Sequence, residues 1–323
     1  MKSIEKINFK GSRVLIRVDF NVPLNSDLKI IDDSRIIAAL PTIKKVILDG
    51  GKAIILSHLG RPKNSFENCF SLKHLVPRLS ALLNKIVLYC PDCIGKTVLE
   101  TTYKMKNSDV LILENLRFYK EEKKGDYNFA KQLSKLGDFY INDAFGTSHR
   151  DHASTSIIAR FFPKKKFAGY LLNSEISTLK NIIKNPKRPL TAIIGGAKIS
   201  GKIDVITRLY DIVDNLIIGG GMAYTFIKAM GGDIGNSIFE KENLSIANTI
   251  LKEVKKRPVN LILPVDSVNA DSIKNNAKTN ISNIKEIPKN YIGLDIGPKS
   301  ILLFSNIITN SKTIIWNGPM GVF

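Results

Sequence analysis

A chain of 323 residues, 44% of them hydrophobic, is long enough for about two buried cores and unlike a disordered or fibrous chain. Its formal charge of +19 raises the question of nucleic acid. However, Lys and Arg are scattered, the densest run, Lys164-Lys165-Lys166, is short, and no aromatic residues interleave with it as a stacking platform. The apolar runs are far shorter than the ~20 residues of a membrane span, and the charged start Met1-Lys2-Ser3-Ile4-Glu5 is unlike a secretory signal, so no membrane, no nucleic acid and a cytoplasmic location are expected.

Short runs of Val, Ile and Leu recur, each followed by Gly, Asn, Asp or Ser and then by a segment of helical period. This pattern predicts an α/β fold of two doubly wound, parallel-sheet (Rossmann-like) domains. In the first half, strands are predicted at residues 13–18, 53–57, 86–89, 110–114 and 138–141. A helix is predicted from Asp33 to Asp49, opened by a capping aspartate, closed by Gly50-Gly51, and kinked or split by Pro41. Cys69, Cys90 and Cys93 are odd in number and read as thiols of a reducing compartment. Cys90-Pro91-Asp92-Cys93 has no second pair to complete a zinc site. Leu172, Ile176, Leu179 and Ile183 place a helix over residues 171–185, stopped by Pro186-Lys187-Arg188-Pro189. In the second half, strands are predicted at residues 190–194, 215–218, 260–263 and 313–316, and the Asn-, Lys- and Ser-rich stretch 267–289 reads as a surface excursion. The domains are therefore expected at 1–170 and 188–323, with a hinge helix over 171–187.

Polar and cationic residues collect where the first-half strands end, which in an open α/β sheet is where ligands sit. Arg35, His58, Arg61, Arg117, His149 and Arg150 are expected to form a cationic bowl for carboxylate or phosphate, with Asp19 and Asn21 holding a hydroxyl. In the second half, Gly195-Gly196-Ala197-Lys198-Ile199-Ser200-Gly201-Lys202 follows a strand and is expected to put Lys198 and Lys202 on one side of a helix start. Gly219-Gly220-Gly221-Met222 repeats that design and lets a ligand approach the backbone. Neither turn is a Walker A loop or a complete dinucleotide fingerprint. Two anionic substrates delivered from separate lobes are the reading these loops support.

Arg17-Val18-Asp19-Phe20-Asn21-Val22-Pro23, Ser57-His58-Leu59-Gly60-Arg61-Pro62, Glu114-Asn115-Leu116-Arg117-Phe118, Asn142-Asp143-Ala144-Phe145-Gly146-Thr147, His149-Arg150-Asp151-His152-Ala153-Ser154, Gly219-Gly220-Gly221-Met222-Ala223 and Trp316-Asn317-Gly318-Pro319-Met320-Gly321-Val322-Phe323 occur in order along the chain. Together they resemble the phosphoglycerate kinase family. The resemblance implies reversible phosphoryl transfer between 1,3-bisphosphoglycerate and ADP, giving 3-phosphoglycerate and ATP, by a monomer that closes two lobes about a hinge. It implies a 3-phosphoglycerate site of Asp19, Phe20, Asn21, Arg35, His58, Leu59, Gly60, Arg61, Arg117 and Arg150. On the nucleotide side it implies Lys198 and Lys202 at the phosphates, and Gly219, Gly220, Gly221 and Asn317 around the adenosine. Arg35 and Lys198 are the expected catalytic pair. The resemblance further implies Mg2+ carried by ADP or ATP.

In the family a ribose-binding glutamate, a further glycine-rich loop with an acidic magnesium ligand, and a tail are expected beyond Phe323, so the second domain is expected to be incomplete. A non-catalytic relative that binds 3-phosphoglycerate alone is the alternative; calorimetry separates the two, because such a chain binds the acid but not MgADP. A nicotinamide-dependent dehydrogenase is disfavoured by the incomplete fingerprint, and a charge-driven nucleic-acid binder has no need of ordered arginine loops.

Overall fold

The computed structural model describes residues 2–148 and 150–322; His149, expected in the cationic bowl, and Phe323 at the end of the last motif lie outside the described residues. The chain forms two compact units, the first ending at Leu179 and the second beginning at Lys180.

Among the described residues, the first unit holds a seven-stranded sheet. Its strands are β1 (Lys2–Ser3), β2 (Arg13–Arg17), β3 (Lys52–Leu56), β4 (Val87–Cys90), β5 (Val110–Leu113), β6 (Phe139–Asn142) and β7 (Lys166–Ala168). They lie in the order β1-β7-β6-β2-β3-β5-β4, all parallel. The central strands read as nearly unbroken apolar runs because both faces are covered. Val14 and Ile16 of β2 join one core with Ile36, Ile43 and Val46 of α1 (Ser34–Leu48) and Leu79 of α2 (Val76–Leu83). Leu15, between them, points to the other core, with Val98 of α3 (Lys96–Lys104) and, beyond α4 (Lys120–Lys124), Phe129 and Leu133 of α5 (Tyr127–Ser134).

Helix α1 departs from expectation at Asp33 and is not split at Pro41. Pro41 does not split it; the helix is continuous from Ser34 to Leu48. Pro41 lies on the exposed face, and Ile37, whose carbonyl loses its N–H partner, is also exposed, so that carbonyl is not left unpaired in the core. Asp33 occupies the cap position without capping: it binds Arg78 Nε at 2.6 Å, while Asp32 accepts from the Ser34 N–H at 2.8 Å. The C-terminal stop is as expected, with Gly50 at φ +81° and its N–H on the Ile47 carbonyl.

Helix α6 (Tyr170–Lys184) carries the chain across the unit boundary. Its start is tied to the first unit: the Leu172 N–H donates to Asp143 at 3.0 Å and the Tyr170 N–H to Thr42 at 2.9 Å.

Among the described residues, the second unit holds a four-stranded parallel sheet of β8 (Leu190–Ile194), β9 (Asn215–Ile218), β11 (Asn260–Ile262) and β16 (Thr313–Asn317), in the order β11-β9-β8-β16. Helices α7 (Ile203–Leu209), α8 (Gly221–Ala229) and α9 (Leu244–Val254) cover one face through Ile206, Phe226 and Ile250. Phe304 of α10 (Pro298–Asn310) covers the other. The expected excursion at 267–289 is more ordered than its composition indicates. β12 (Asp266–Ala270), β13 (Thr279–Asn283) and β15 (Ile292–Ile296) form an antiparallel sheet, and β14 (Glu286–Ile287) pairs with β10 (Asp233–Ile234). Asp266 caps α10, accepting from Lys299 N, Ser300 N and Ser300 Oγ.

Glu114 is the buried knot of the first unit. Its carboxylate accepts from Ser71 Oγ, Leu72 N, Tyr89 Oη and Asn115 N at 2.7–2.8 Å. Truncation to alanine leaves these donors unsatisfied, so Glu114→Ala is expected to destabilise the first unit by about 3 kcal/mol. Circular dichroism in urea should show the earlier transition, while the fluorescence of Trp316, the single tryptophan and a residue of the second unit, should keep its midpoint.

Candidate active site

The loops leaving the carboxyl ends of β2, β3, β5 and β6 are fastened to one another before any ligand is considered. Asn115 Nδ2 donates to the carbonyls of Leu59 (2.7 Å) and Phe70 (2.9 Å), and its Oδ1 accepts from the Arg117 N–H (3.0 Å). The Gly60 N–H donates to Asn21 Oδ1 at 2.8 Å, and its carbonyl accepts from Arg117 Nη1 at 2.7 Å. Gly60 sits at φ +62°, and a Cβ there would lie 2.2 Å from the Phe70 ring, so backbone conformation and packing both favour glycine.

These loops enclose a cleft of about 330 Å³ lined by Asp19, Asn21, Arg35, His58, Arg61, Arg117, Lys123, Gly146, Thr147 and Arg150. Of the sequence-predicted residues, it collects Asp19, Asn21, Arg35, His58, Arg61, Arg117 and Arg150. Phe20 and Leu59 place their side chains in the core instead, and Gly60 takes part through its backbone. Lys123, Gly146 and Thr147 were not anticipated. Lys123 was hidden in the Lys120–Lys124 charge run, which resembles any solvated helix face. A larger groove of about 840 Å³ beside Leu28, Ile31 and Pro77 is open and mostly apolar, and its Arg78 is already paired with Asp33.

Among the described residues lining the cleft, five cations face one carboxylate. Asp19 binds Arg35 Nη1 at 2.8 Å and lies 3.7 Å from His58 Nε2. Burial and the neighbouring Arg17, Arg117 and Arg150 push His58 far below its ordinary pKa of 6.5, so the ring is neutral. Burial, with Arg150 and Arg17 nearby, lowers Arg117 to about 10, which leaves it charged at neutral pH. His58 Nδ1 lies 3.2 Å from Arg17 Nη2, a donor only, so Nδ1 accepts and the proton resides on Nε2.

In the second unit the glycine turns meet each other. Gly195 N donates to the Asn317 carbonyl, Gly196 N to that of Pro319, Gly220 N to that of Met320 and Met222 N to that of Gly196, at 2.9–3.0 Å. A Cβ on Gly195 would stand 2.0 Å from the Pro319 carbonyl oxygen, so this glycine is needed for loop-to-loop packing. The expected helical alignment of Lys198 and Lys202 is not found. Helix α7 begins only at Ile203, and residues 198–202 form a turn. Gly201 disfavours helix, and Glu240 draws Ser200 out of it by accepting from Ser200 N (2.9 Å) and Oγ (2.7 Å). Lys202 Nζ donates to Asn317 Oδ1, and Lys198 is exposed.

The model of the family described as phosphoglycerate kinase matches residues 4–323. The chain belongs to the phosphoglycerate kinase family. The phosphoglycerate kinases of Porphyromonas gingivalis W83 and Geobacter metallireducens GS-15 are 47% and 49% identical to it, over 99% and 98% of this chain and 82% and 79% of theirs. The solved phosphoglycerate kinase from Coxiella burnetii has a TM-score of 0.73 at 39% identity, covering 99% of this chain and 80% of that one. That from Pyrococcus horikoshii has 0.79 at 30% identity, covering 100% and 82%. The function is that of the family, a glycolytic kinase that transfers phosphoryl groups reversibly between 1,3-bisphosphoglycerate and ADP. Phosphoglycerate kinases use magnesium with the nucleotide. Among the described residues no group of three or more His, Cys, Asp or Glu converges to hold a metal.

Unfolding releases His58 to take a proton near its ordinary 6.5, whereas the folded ring takes none. Stability contributed here is therefore intact above about pH 6.5 and lost as pH falls. Relative to His58→Asn, the native protein is expected to lose roughly 1.4 kcal/mol per pH unit between about pH 6 and pH 5. Paired denaturant titrations across that range measure the difference.

Proposed function

We infer that the first-unit cleft holds 3-phosphoglycerate or 1,3-bisphosphoglycerate, and that the loops of the second unit hold ADP or ATP. The observation that carries the first assignment is the excess of cations over carboxylates among the described residues lining the cleft. Arg61, Arg117, Arg150 and Lys123 neutralise phosphate oxygens. His58 offers the Nε2–H as a neutral donor, and Asn21, whose Oδ1 is taken by Gly60, offers its Nδ2 group to the hydroxyl. Arg35 exchanges Asp19 for the transferring group. In the second unit, Lys198 and Lys202 neutralise nucleotide phosphates, and Gly219, Gly220, Gly221 and Asn317 shape the adenosine side.

No general base is needed, because the acceptor is already an oxyanion in either direction: the carboxylate of 3-phosphoglycerate or a phosphate of ADP. His58 is unfit for that task, with Nδ1 occupied and Nε2 protonated. Transfer depends on in-line placement and on neutralising the moving group. Magnesium arrives on the nucleotide as part of the substrate. The protein acts as a monomer, and its free thiols, two of them buried, suit a cytoplasmic location.

Arg35→Ala and Lys198→Ala are each expected to lower kcat about a hundredfold, equivalent to roughly 3 kcal/mol of transition-state stabilisation. Far-UV dichroism should be unchanged, since both side chains are exposed. A coupled assay in the ATP-forming direction reads the effect, and near-normal turnover in either variant refutes its assignment.

A further inference from the structure

Arg17 is among the most deeply buried large side chains of the molecule, yet it is not one of the residues lining this cleft and forms no ion pair with a carboxylate among the described residues. Its hydrogen bonds all lead elsewhere. Nε donates to Ser154 Oγ at 2.8 Å, Nη1 donates to the Val18 carbonyl, and Nη2 reaches His58 Nδ1 at 3.2 Å. Behind Ser154 stands Glu122, which is fully buried. It accepts from Ser154 Oγ at 2.6 Å and from Ser154 N at 3.0 Å, with His152 Nδ1 3.9 Å away. The Tyr140 hydroxyl donates to the Ser154 carbonyl at 2.8 Å, which fixes the backbone of that residue.

The direction of each hydrogen bond follows from chemistry. Burial raises the Glu122 pKa, while Arg17 and the two Ser154 hydrogen bonds favour its charged form; as a carboxylate it only accepts, and the Ser154 hydroxyl then spends its one proton on it. Its lone pairs then face Arg17, which only donates. With Nε and Nη1 so engaged, the guanidinium plane is set and Nη2 is aimed at His58. An aimed donor permits one neutral form of imidazole, the form that leaves Nδ1 bare. Nε2 then carries the proton, toward Asp19 Oδ1 3.7 Å away and toward the cleft.

The geometry points to Glu122 and Ser154 as positioning residues that act through Arg17 to hold His58 in its Nε2–H tautomer, so that a neutral donor faces the anionic substrate. No atom of Glu122 or Ser154 lines the cleft, and both would work at a distance. The inference rests on the assignment of the cleft to 3-phosphoglycerate only for its effect on binding; the tautomer itself does not depend on it.

Long-range proton–nitrogen correlation spectra of the 15N-labelled chain at neutral pH, without ligand, test the relay. His58 is expected to show a single neutral tautomer with Nδ1 unprotonated. A protonated Nδ1, or a mixture, overturns the proposal on the unaltered protein alone. In Ser154→Ala the resonances should move toward averaged tautomers, and the KM for 3-phosphoglycerate should rise roughly tenfold, the worth of about one hydrogen bond, while that for ATP stays put. If that variant folds poorly, Glu122→Gln supplies the second reading, with the same tautomer averaging expected. A His58 that keeps its tautomer in a folded variant also overturns the relay. Averaged tautomers with an unchanged KM for the acid leave the relay standing and count against the substrate assignment of the cleft.

Discussion

Like charges crowded into a small space are the constraint around which the first unit is built. Arg35, Arg61, Arg117, Arg150 and Lys123 share a cleft with Asp19 as its carboxylate, and Arg17 lies buried just behind. Such a cluster repels itself and resists desolvation, as the lowered pKa of Arg117 records. It persists because the loops that carry it are fastened to one another by hydrogen bonds. Asn115 joins the β3 and β5 loops, Gly60 joins Asn21 to Arg117, and Glu114 secures the base. The loops therefore hold Arg117 and Asn21 in place without a ligand, while Arg35 is paired with Asp19.

The two units present their cations differently. In the first, side chains supply the charge and the backbone supplies rigidity. In the second, the glycine turns are consumed in packing against residues 317–320, and the cations are a turn lysine in solvent and a lysine resting on Asn317. Glu240 gives that turn its shape. Burial opposes its ionisation, but the Ser200 hydrogen bonds and Lys198 overcome that opposition and hold it below the ordinary carboxylate range. The carboxylate therefore fixes the backbone beside Lys198 while leaving the ammonium in solvent.

Much of this was legible in the sequence, for identifiable reasons. Strands such as Val110–Leu113 are buried on both faces, and a doubly covered strand is written as an unbroken apolar run. The arginine loops stood out because they follow those runs directly. What escaped was settled by contacts between distant residues. Asp33 looked like a cap, but Arg78 claims it; Lys198 and Lys202 looked helical, but Glu240, forty residues on from Ser200, holds the turn open. The antiparallel strands β12 and β13 were missed because polar pairing replaces apolar alternation there: Asn269 Nδ2 binds Asn280 and Ser282 across the strands. Arg17 sat in plain view within a motif, yet its burial behind His58 required coordinates.

Among the described residues lining the cleft the one histidine, His58, is held out of acid–base work. A base is useful where a proton must leave a nucleophile; a carboxylate or phosphate acceptor has none to lose. A histidine free to titrate would add a positive charge to the cluster below neutrality, deepening the repulsion. Held neutral by burial and by the surrounding guanidinium groups, His58 instead contributes a fixed dipole. Arg117, though lowered, stays charged through the same range. The cationic field of the cleft is thereby kept constant where a titrating histidine would have made it vary.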